Sequence, residues 1–385
     1  MSKIVHVTSA HSATDTRVFL KECRGLAAAG HEVVLVVADA AGDRWVDGVL
    51  VRSVGMPRSR GDRMLRVGWA CVRQALRERG DVLHFHDPEL LPWAHLLRRA
   101  GKRVVYDMHE FVPAQIETKP WITPRLRSVI GRAWRSVERQ LLRGVPVVFA
   151  ARSLARDYAF VGRSAIVENM PLVEELLGIR EQRYDRFTLG YMGSLTVNRG
   201  SLQLLTVVER LREEGMPVHL ECVGSADDAP TREALRGRAG RAEAGVRWHG
   251  RLAPIAGWRV MARCHAGLAL LLPEPRYLQA YPTKLFEYMG LGLPVIASDF
   301  PLYRAVVDGA RCGLCVDPLN QDALCEAIRW CVTHPEDLRA MGERGRLAVE
   351  REYNWRTEEQ RLLGFYAALG VPVPASPADP SPEVA

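Results

Sequence analysis

Short apolar runs alternate with stretches of helical periodicity along most of the chain. Residues 33–38 are apolar throughout, which is typical of a parallel strand covered on both faces, and residues 3–8 form a similar β-rich run. Between them, residues 16–29 place apolar side chains at helical spacing and are followed by Gly30, a residue that often ends helices. The alternation predicts βαβ units with right-handed crossovers.

The same cycle recurs in two sets along the sequence. Further strands are predicted at 82–85, 103–106, 145–150 and 165–167, and then at 187–192, 218–223, 246–249, 267–272, 294–297 and 314–316. The two sets predict two doubly wound, Rossmann-like α/β domains, at 1–172 and 187–352, separated by a charged junction with little helix. Open parallel sheets bind ligands outside the carboxyl ends of their strands, so two facing sheets would border a cleft.

Composition narrows the class of protein. With 385 residues, 48% of them apolar and 25% charged, the chain matches a soluble globular protein of two or three domains and not a fibrous or wholly disordered one. The longest apolar run, 266–272, is far shorter than the ~20 residues that span a bilayer, and the first residues lack a secretory signal pattern. We therefore expect a cytoplasmic protein, with a disordered Pro/Ala/Ser-rich tail at 371–385.

Positive charge is concentrated in the first half. Residues 1–172 carry 27 Lys and Arg against 17 Asp and Glu, whereas the rest of the chain carries 25 against 28. This asymmetry favours an acidic surface or an anionic substrate as the partner of the first half. No nucleic-acid-binding motif accompanies the basic half, so we expect no nucleic-acid partner.

The segment 121–143 is strongly basic and predicts an amphipathic helix. Its apolar stripe consists of Leu126, Val129, Ile130, Ala133, Trp134, Val137 and Leu141. Such a helix could lie peripherally on the inner face of an anionic membrane and present lipid-linked acceptors. We favour the alternative, an ordinary domain helix whose stripe packs on the sheet, because one stripe cannot serve core and membrane together.

The first strand–helix turn argues against two nucleotide-binding classes. It contains no G-x-G-x-x-G, and no G-x-x-x-x-G-K-[ST] occurs anywhere, which disfavours a dinucleotide dehydrogenase and a P-loop enzyme. Asp15 and Arg17 lie instead where the helix begins. They fit two interpretations, a functional pair or a capping Asp beside a solvated Arg.

Imidazoles and carboxylates follow the next two strands. His84, His86 and Asp87 end one strand, and His109 and Glu110 end the next, at the sheet edge where chemistry takes place in this architecture. A metal site is the obvious alternative, since these residue types are good ligands. His84 and His86 share one face of the strand, but nothing in the spacing requires a closed coordination shell, and we predict no metal site.

Two motifs of the second half suit an anionic phosphate. The turn 193–200 can supply backbone N–H groups and the fixed cation of Arg199. Thr283 is expected to cap a helix whose first turn carries Lys284. Glu287 lies one turn further on nearly the same face, where it can accept hydrogen bonds from a diol; the alternative is an ordinary surface ion pair with Lys284.

Over residues 3–370 the order and spacing of these motifs resemble the retaining glycosyltransferases of family 4, which have the GT-B fold. The resemblance lies in Asp15-Thr-Arg17 with the following Ala-Ala-Ala-Gly-His31-Glu-Val run, Asp81…His86-Asp87, Tyr106-Asp-Met-His109-Glu110, Glu168-Asn169, Gly193…Arg199-Gly200, and Pro282-Thr-Lys-Leu-Phe-Glu287-Tyr-Met…Gly292-Leu-Pro294-Val-Ile-Ala. It implies an acceptor domain at 1–172 and a donor domain at 187–352 that face a cleft. It also implies that the last helix, at 353–370, crosses back to the N-terminal domain.

The resemblance also implies roles for individual residues. Glu287 would be the second acidic residue of the family's Glu-x7-Glu motif and hold the donor ribose, Arg199 would contact the donor diphosphate, and His109 would lie beside the transferred sugar. On this basis the expected catalytic residues are His109, Gln279 and Glu287, the donor-binding residues are Gly193, Ser194, Arg199, Gly224, His249, Lys284 and Glu287, and the acceptor-side residues are Asp15, Arg17, His86 and Glu110.

Two positions depart from the family pattern. Gln279 stands where the first Glu of Glu-x7-Glu is expected, and Ser194 stands where the family has an Arg that contacts the diphosphate. Pro282 has no N–H to offer to a phosphate, so Lys284 is expected to supply the missing contact as a point charge. Gln279 cannot carry negative charge but can still orient sugar hydroxyls.

The resemblance implies transfer of a sugar from a nucleotide-diphosphate donor with retention of anomeric configuration. Fixed cations would neutralise the leaving diphosphate, so neither a divalent metal nor another cofactor is expected. The first expectation for the donor is a UDP-sugar and the second is GDP-mannose, with a small molecule or a lipid-linked glycan as acceptor. Two other interpretations stay open: a non-catalytic sugar-nucleotide-binding partner subunit, which Gln279 would suit, and a UDP-sugar epimerase of the GT-B fold.

Overall fold

Two compact units make up the protein. The computed structural model describes residues 1–113, 116, 123–238 and 244–372. Unit 1 comprises Met1–Asn169 together with the chain from Arg356, and unit 2 comprises Met170–Trp355. Each unit is built around one sheet whose strands are parallel, apart from a single antiparallel pair, which confirms the predicted α/β class.

The sheet of unit 1 has eight strands in the order β3-β4-β2-β1-β5-β6-β7-β8. They are β1 (Lys3–Val7), β2 (Glu32–Val37), β3 (Arg44–Val46), β4 (Val49–Ser53), β5 (Val82–Phe85), β6 (Val104–Met108), β7 (Val147–Phe149) and β8 (Ser164–Ile166). Only β3 and β4 pair antiparallel. The chain order reverses between β1 and β5, and doubly wound sheets bind their ligands at such switch points, outside the carboxyl ends of the strands.

The sheet of unit 2 has six parallel strands in the order β11-β10-β9-β12-β13-β14. They are β9 (Thr188–Met192), β10 (His219–Val223), β11 (Val246–Trp248), β12 (Ala266–Ala269), β13 (Val295–Ser298) and β14 (Gly313–Val316). Alternate residues of β13 enter hydrophobic clusters on opposite faces, Ile296 in one and Val295 with Ala297 in the other. The switch point of this sheet lies between β9 and β12.

Helices connect the strands in both units. In unit 1 they are Thr16–Cys23 (π-helical) continuing into Arg24–Ala28, Arg60–Asp62, Arg63–Val67 (π-helical), Gly68–Arg77, Pro88–Leu90 (3-10), Leu91–Arg99, Pro124–Leu141 and Arg152–Asp157. In unit 2 they are Val173–Gly178, Val197–Arg199 (3-10), Ser201–Glu213, Ala229–Arg238, Pro254–Ala262, Pro275–Leu278, Thr283–Gly290, Pro301–Ala310, Gln321–Thr333 and Pro335–Arg351.

The last helix, Trp355–Ala368, belongs to unit 1 from Arg356 onwards, as the GT-B resemblance implies. Tyr366 OH shares a hydrogen bond of 2.7 Å with His84 Nδ1 on β5. Glu358 accepts a hydrogen bond of 2.8 Å from the backbone N–H of Glu168. These buried contacts hold the end of the chain against the sheet of unit 1.

Several sequence predictions differ from the structure. The hairpin of β3 and β4 and the helical residues 60–77 were not predicted. The junction expected to have little helix contains Val173–Gly178, because Val173 and Leu176 of that helix pack into a hydrophobic cluster of unit 2. Val371, in the segment expected to be disordered, is buried and donates a hydrogen bond to Tyr366 O, while 373–385 lie outside the described residues.

Candidate active site

A carboxylate at the end of β5 fixes the loop that follows β1. Asp87 Oδ2 accepts hydrogen bonds from the backbone N–H of Ser9 at 2.6 Å and from Thr8 Oγ1 at 2.9 Å. All three residues are buried. The loop is therefore held rigidly at the switch point of unit 1.

Arg17 is a buried structural residue, which corrects its expected place on the acceptor side. Its guanidinium donates to both oxygens of Asp107 on β6, at 3.1 and 2.9 Å, and to Val167 O at 2.8 Å. Burial alone would raise the pKa of Asp107. The charges of Arg17 and then His109 nevertheless hold this pKa well below its usual range. Three of its N–H groups are thus used inside unit 1, and because only 5% of the residue is exposed, Arg17 is not presented to an acceptor.

Asp15 caps the helix that begins at Thr16, as one of the two interpretations of the Asp15/Arg17 pair expected, but the Arg17 of that interpretation is buried rather than solvated. Its Oδ1 accepts from the backbone N–H groups of Arg17 at 2.9 Å and Val18 at 2.8 Å. The other oxygen lies 3.2 Å from His11 Nδ1. Partial burial works against a charged His11, but the bond to Asp15 and the nearby Asp87 raise the pKa of His11.

Two of the expected residues meet at Asp107. His109 Nε2 lies 2.9 Å from Asp107 Oδ2 and 3.2 Å from His86 Nδ1. Burial lowers the pKa of His86 to about 4, so this imidazole is neutral at pH 7. His109 is partly buried and Glu110 is exposed. The imidazole of His109 is thus presented at the surface in an orientation fixed by a buried carboxylate.

In unit 2, two glycine turns pack together at the carboxyl ends of β9 and β10. Gly193 and Gly224 have φ angles of +127° and +144°, a region that side chains disfavour. A Cβ on Gly224 would collide with the carbonyl oxygen of Gly193. Both glycines are therefore required by the backbone itself, and together they leave a turn without side chains beside the switch point.

Lys284 is buried against this turn with its charge uncompensated by a hydrogen bond. Its Nζ lies 3.5 Å from the centre of the Tyr191 ring and has no hydrogen-bond partner. A Cβ on Gly193 would stand 3.4 Å from Nζ. Burial, and then the neighbouring Arg199, lower the pKa of Lys284 well below its ordinary value.

The helix that carries Lys284 begins at Thr283, with Pro282 at the N-cap position and no side-chain cap. This corrects the expectation that Thr283 is the capping residue. Thr283 already belongs to the first turn, because Pro282 precedes that turn in an extended conformation. The first turn of this helix therefore lacks a side-chain acceptor for its N–H groups.

Arg199 also borders Gly193. It ends a short 3-10 turn, Val197–Arg199, after which Gly200 adopts a left-handed conformation. Its Nη1 would lie 3.9 Å from a Cβ on Gly193. Within the described part of the chain its guanidinium has neither a hydrogen bond nor an ion pair. Two cations without polar partners thus border one glycine turn, an arrangement suited to a dianionic ligand.

The other expected donor residues have varied surroundings. Ser194 Oγ hydrogen-bonds to Asp227, and His249 Nε2 to Glu221. Glu287 is half-buried and close enough to Lys284 to oppose the lowering of its pKa.

Gln279 is exposed, and the backbone next to it is bound by the hydroxyl of Tyr303. The Tyr303 hydroxyl donates to Tyr277 O at 2.8 Å and reaches Ala280 O at 3.3 Å. The backbone on both sides of Gln279 is therefore fixed, although its side chain is exposed.

Two residues of these groups, Asp107 and Tyr191, were assigned no role from the sequence, although Asp107 lies within the motif that ends at Glu110. Asp107 lies two positions before His109, and the alternation of side chains along a strand could have placed both on one face. Tyr191 precedes Gly193 by two residues and carries no such signal. Its position under Lys284 Nζ depends on contacts between β9 and a helix about ninety residues further on.

The apolar stripe of helix Pro124–Leu141 is exposed, which corrects the expectation that it packs on the sheet. Leu126, Val129 and Val137 are 52%, 52% and 50% exposed, and Ile130 is exposed as well. The helix instead buries Gly131 and Glu138, on a different face, and Glu138 accepts a hydrogen bond from Tyr158 OH at 2.5 Å. None of the helices in the described ranges is both long and apolar enough to cross a membrane.

Two family models match the chain, one in each half. The model described as a glycosyl transferase 4-like domain matches residues 16–165, and the model described as glycosyl transferases group 1 matches residues 186–334. Among curated proteins, the sucrose synthase of Denitrovibrio acetiphilus is 27% identical over 101 residues, which are 25% of this chain and 13% of that protein.

Solved structures of similar fold cover nearly the whole chain. Sucrose-phosphate synthase from Thermosynechococcus elongatus has a TM-score of 0.72 at 16% identity, covering 96% of this chain and 99% of its own. HepE of Anabaena, solved with UDP and glucose, has a TM-score of 0.69 at 14% identity, covering 96% and 100%. A UDP-forming trehalose-phosphate synthase from Burkholderia xenovorans has a TM-score of 0.68 at 14% identity, covering 96% and 100%.

Proposed function

Because the chain belongs to the family-4 type of GT-B glycosyltransferases, we propose that it transfers a sugar from a nucleotide-diphosphate donor to an acceptor hydroxyl, with retention of anomeric configuration. The observation that carries the proposal is the pair of cations, Arg199 and Lys284, beside the side-chain-free turn at Gly193. A diphosphate at this turn would complete the missing interactions of both.

The cations would act mainly on the transition state. As the bond between sugar and nucleotide breaks, negative charge grows on the diphosphate oxygens. Arg199, Lys284 and the N–H groups at the start of the helix at Thr283 would stabilise that charge more strongly than the charge of the intact donor. A divalent metal is then not needed for the transfer, and we expect equal initial rates with and without added Mg²⁺ or Mn²⁺.

The remaining residues would orient the donor and the acceptor. Glu287 would accept hydrogen bonds from the ribose hydroxyls, and Gln279 would orient sugar hydroxyls through its amide. His109, whose imidazole is fixed by Asp107, would lie beside the transferred sugar on its reacting face. UDP is the proposed nucleotide because HepE binds UDP and the Burkholderia enzyme forms it.

A panel of nucleotide sugars tests the proposal. A donor that binds the folded protein raises its melting temperature by mass action, so UDP-, GDP-, ADP- and dTDP-sugars are compared in one thermal-shift series. We expect the largest shift with a UDP-sugar, followed by release of UDP when candidate acceptors are added. The absence of any shift would contradict the proposal.

The same assay separates the alternatives. Saturable binding of a nucleotide sugar without release of sugar or nucleotide, over all acceptors tried, would identify a non-catalytic binding subunit. Formation of a free sugar with altered stereochemistry, or of an altered donor, would identify an epimerase.

We further propose that helix Pro124–Leu141 lies on an anionic membrane and that the acceptor is lipid-linked. Its exposed stripe is accompanied by exposed arginines at positions 125, 132, 135 and 139. Apolar insertion together with attraction to anionic headgroups is the usual basis of such binding, and each basic residue near the surface contributes about 1 kcal/mol.

Replacing part of the stripe should release the protein from vesicles. We expect Leu126→Gln with Ile130→Gln to lower partitioning onto phosphatidylglycerol-containing vesicles at least about tenfold, because two apolar side chains no longer leave water on binding. Co-sedimentation at low ionic strength measures this. The matched control replaces two exposed leucines of unit 2, Leu319→Gln with Leu347→Gln, and should bind like the unmodified protein. Equal binding by both double variants would refute the assignment.

A further inference from the structure

Three histidines and a glutamate converge in the interior of unit 1. His6 on β1 is paired in register with His84 on β5, and His86 lies two residues further along β5 on the same face. Neighbouring ring centroids are 4.7 to 5.1 Å apart. Glu22 approaches from the helical segment Thr16–Cys23, with Oε2 3.9 Å from His6 Nδ1.

These side chains are completely buried, and several of their polar atoms lack partners. His6, Glu22 and His84 have no exposed surface, and His86 has 1%. Both oxygens of Glu22 and His84 Nε2 have no hydrogen bond of regular geometry. His6 Nδ1 and His86 Nε2 share a hydrogen bond, which an ion bound between them would replace. Arg17 Nε lies 3.1 Å from Glu22, but its single N–H is directed to Asp107. Buried polar groups are satisfied in the great majority of cases, and the usual reasons for an exception include an ion at the site.

The spacing of the four residues suits a small divalent ion. One ligand atom from each lies within 4.8 Å of the others. His6 Nδ1 is 2.9 Å from His86 Nε2 and 3.9 Å from Glu22 Oε2. Tetrahedral zinc, with bonds of about 2.0–2.2 Å, requires ligand atoms about 3.4 Å apart, which lies between these two separations. Binding would therefore require the four side chains to rotate until the wider separations, none above 4.8 Å, shrink to this value.

Outer contacts of the kind that orient metal-bound histidines are also present. A ligating imidazole commonly donates its second N–H to a carboxylate or another oxygen. His86 Nδ1 lies 3.3 Å from Asp107 Oδ2, and His84 Nδ1 lies 2.7 Å from Tyr366 OH. Since Arg17 and Asp107 compensate each other, the carboxylate of Glu22 remains to offset part of the charge of an ion.

We propose that unit 1 binds a single structural Zn²⁺-class ion through His6, Glu22, His84 and His86. Three imidazoles and one carboxylate favour zinc and its neighbours Co²⁺ and Ni²⁺ over Mg²⁺ and Ca²⁺, which prefer oxygen ligands. The ion joins β1 and β5 to the first helical segment. It also fixes His86, and through Asp107 the neighbouring His109. The ion takes no part in the proposed sugar transfer. The metal assignment therefore does not depend on that proposal.

Metal analysis of the intact protein tests the assignment. After expression with added zinc and dialysis against metal-free buffer, elemental analysis should find a stoichiometric amount of zinc in the unmodified protein. Glu22→Gln and His84→Gln should each lose most of it. His31→Gln replaces another buried histidine of unit 1, outside the cluster, and should retain it.

A second measurement does not depend on whether the buried variants fold. The unmodified protein, refolded with Co²⁺ in place of zinc, should show the visible absorption of four-coordinate Co²⁺ and melt at a higher temperature than protein refolded with chelator. Substoichiometric zinc together with no Co²⁺ absorption would overturn the proposal. So would full zinc content in folded Glu22→Gln and His84→Gln proteins.

Discussion

Arg199→Ala should lower turnover of the nucleotide sugar about a hundredfold or more. A positioned donor that stabilises charge developing in the transition state contributes about 10²–10³-fold to the rate in comparable sites. Arg199 is half-buried beside Gly193 and close enough to Lys284 to lower its pKa, so its field is only partly screened by water. The loss should appear mainly in kcat, because the charge to be stabilised is greatest as the diphosphate leaves.

The matched control for this variant is Arg247→Ala. Arg247 is an exposed arginine of the same unit, on the edge strand β11. Its removal changes the net charge equally but should leave kcat and the melting temperature near those of the unmodified protein. A rate within threefold of normal for Arg199→Ala, about 0.6 kcal/mol in barrier height, would remove Arg199 from the diphosphate site.

Lys284→Met should make the protein more stable and a poorer catalyst at the same time. A buried charged group without a hydrogen bond costs folding free energy, and the contact with the Tyr191 ring returns only part of it. Methionine fills similar space without the charge, so we expect the free energy of unfolding to rise by about 1–2 kcal/mol. Turnover should fall more than about tenfold, because the diphosphate loses a charge-assisted hydrogen bond.

The pH dependence of the stability gain identifies its cause. Burial lowers the pKa of Lys284 in the folded protein, whereas in the unfolded chain it returns to about 10.4. Between these two values the unfolded state binds more protons, so the stability of the unmodified protein rises with pH. The advantage of Lys284→Met should therefore be greatest at or below neutral pH and shrink as the pH approaches 10.

Chemical denaturation at several pH values, with kinetic assays beside it, measures both effects. Arg247→Met is the control, since it introduces the same side chain at an exposed cation of unit 2. A Lys284→Met protein that is less stable at neutral pH, or that turns over normally, would show that Lys284 serves packing rather than the ligand.

Periodicity was sufficient to predict both sheets, because strands buried on two faces are short and apolar throughout. It was not sufficient for the hairpin of β3 and β4, whose strands are short and partly polar. The turn between them, Asp47-Gly48, has positive φ at both residues and is a recognised hairpin signal that could have revealed it. The helix at Val173–Gly178 was missed because its formation depends on packing of Leu176 against the rest of unit 2.

For the candidate site, the sequence predicted which residues serve one ligand but not their burial or pairing. Motif spacing predicted that Lys284, Arg199 and Gly193 serve one ligand, and the structure brings the three together. Spacing could not show that Lys284 is buried, nor that Arg17 is engaged by Asp107, a residue 90 positions away. Burial and ion pairing depend on the tertiary structure. The local sequence around a charged residue near a helix start is the same whether that residue is buried and paired or exposed to solvent.

For helix Pro124–Leu141 the sequence predicted a buried apolar stripe, and the structure shows an exposed one. Leu126, Val129 and Val137 have the spacing of a core-facing stripe, yet they are exposed, whereas Gly131 and Glu138 of the same helix are buried. Periodicity identifies an apolar face but does not identify what covers it.

The most direct test of the account is a crystal structure of the protein with UDP. It should show the diphosphate over Gly193, with its oxygens within hydrogen-bond distance of the Arg199 guanidinium and Lys284 Nζ, and the ribose hydroxyls at Glu287. A nucleotide bound at another place, with both cations making no phosphate contact, would contradict the proposed donor site and the mechanism built on it.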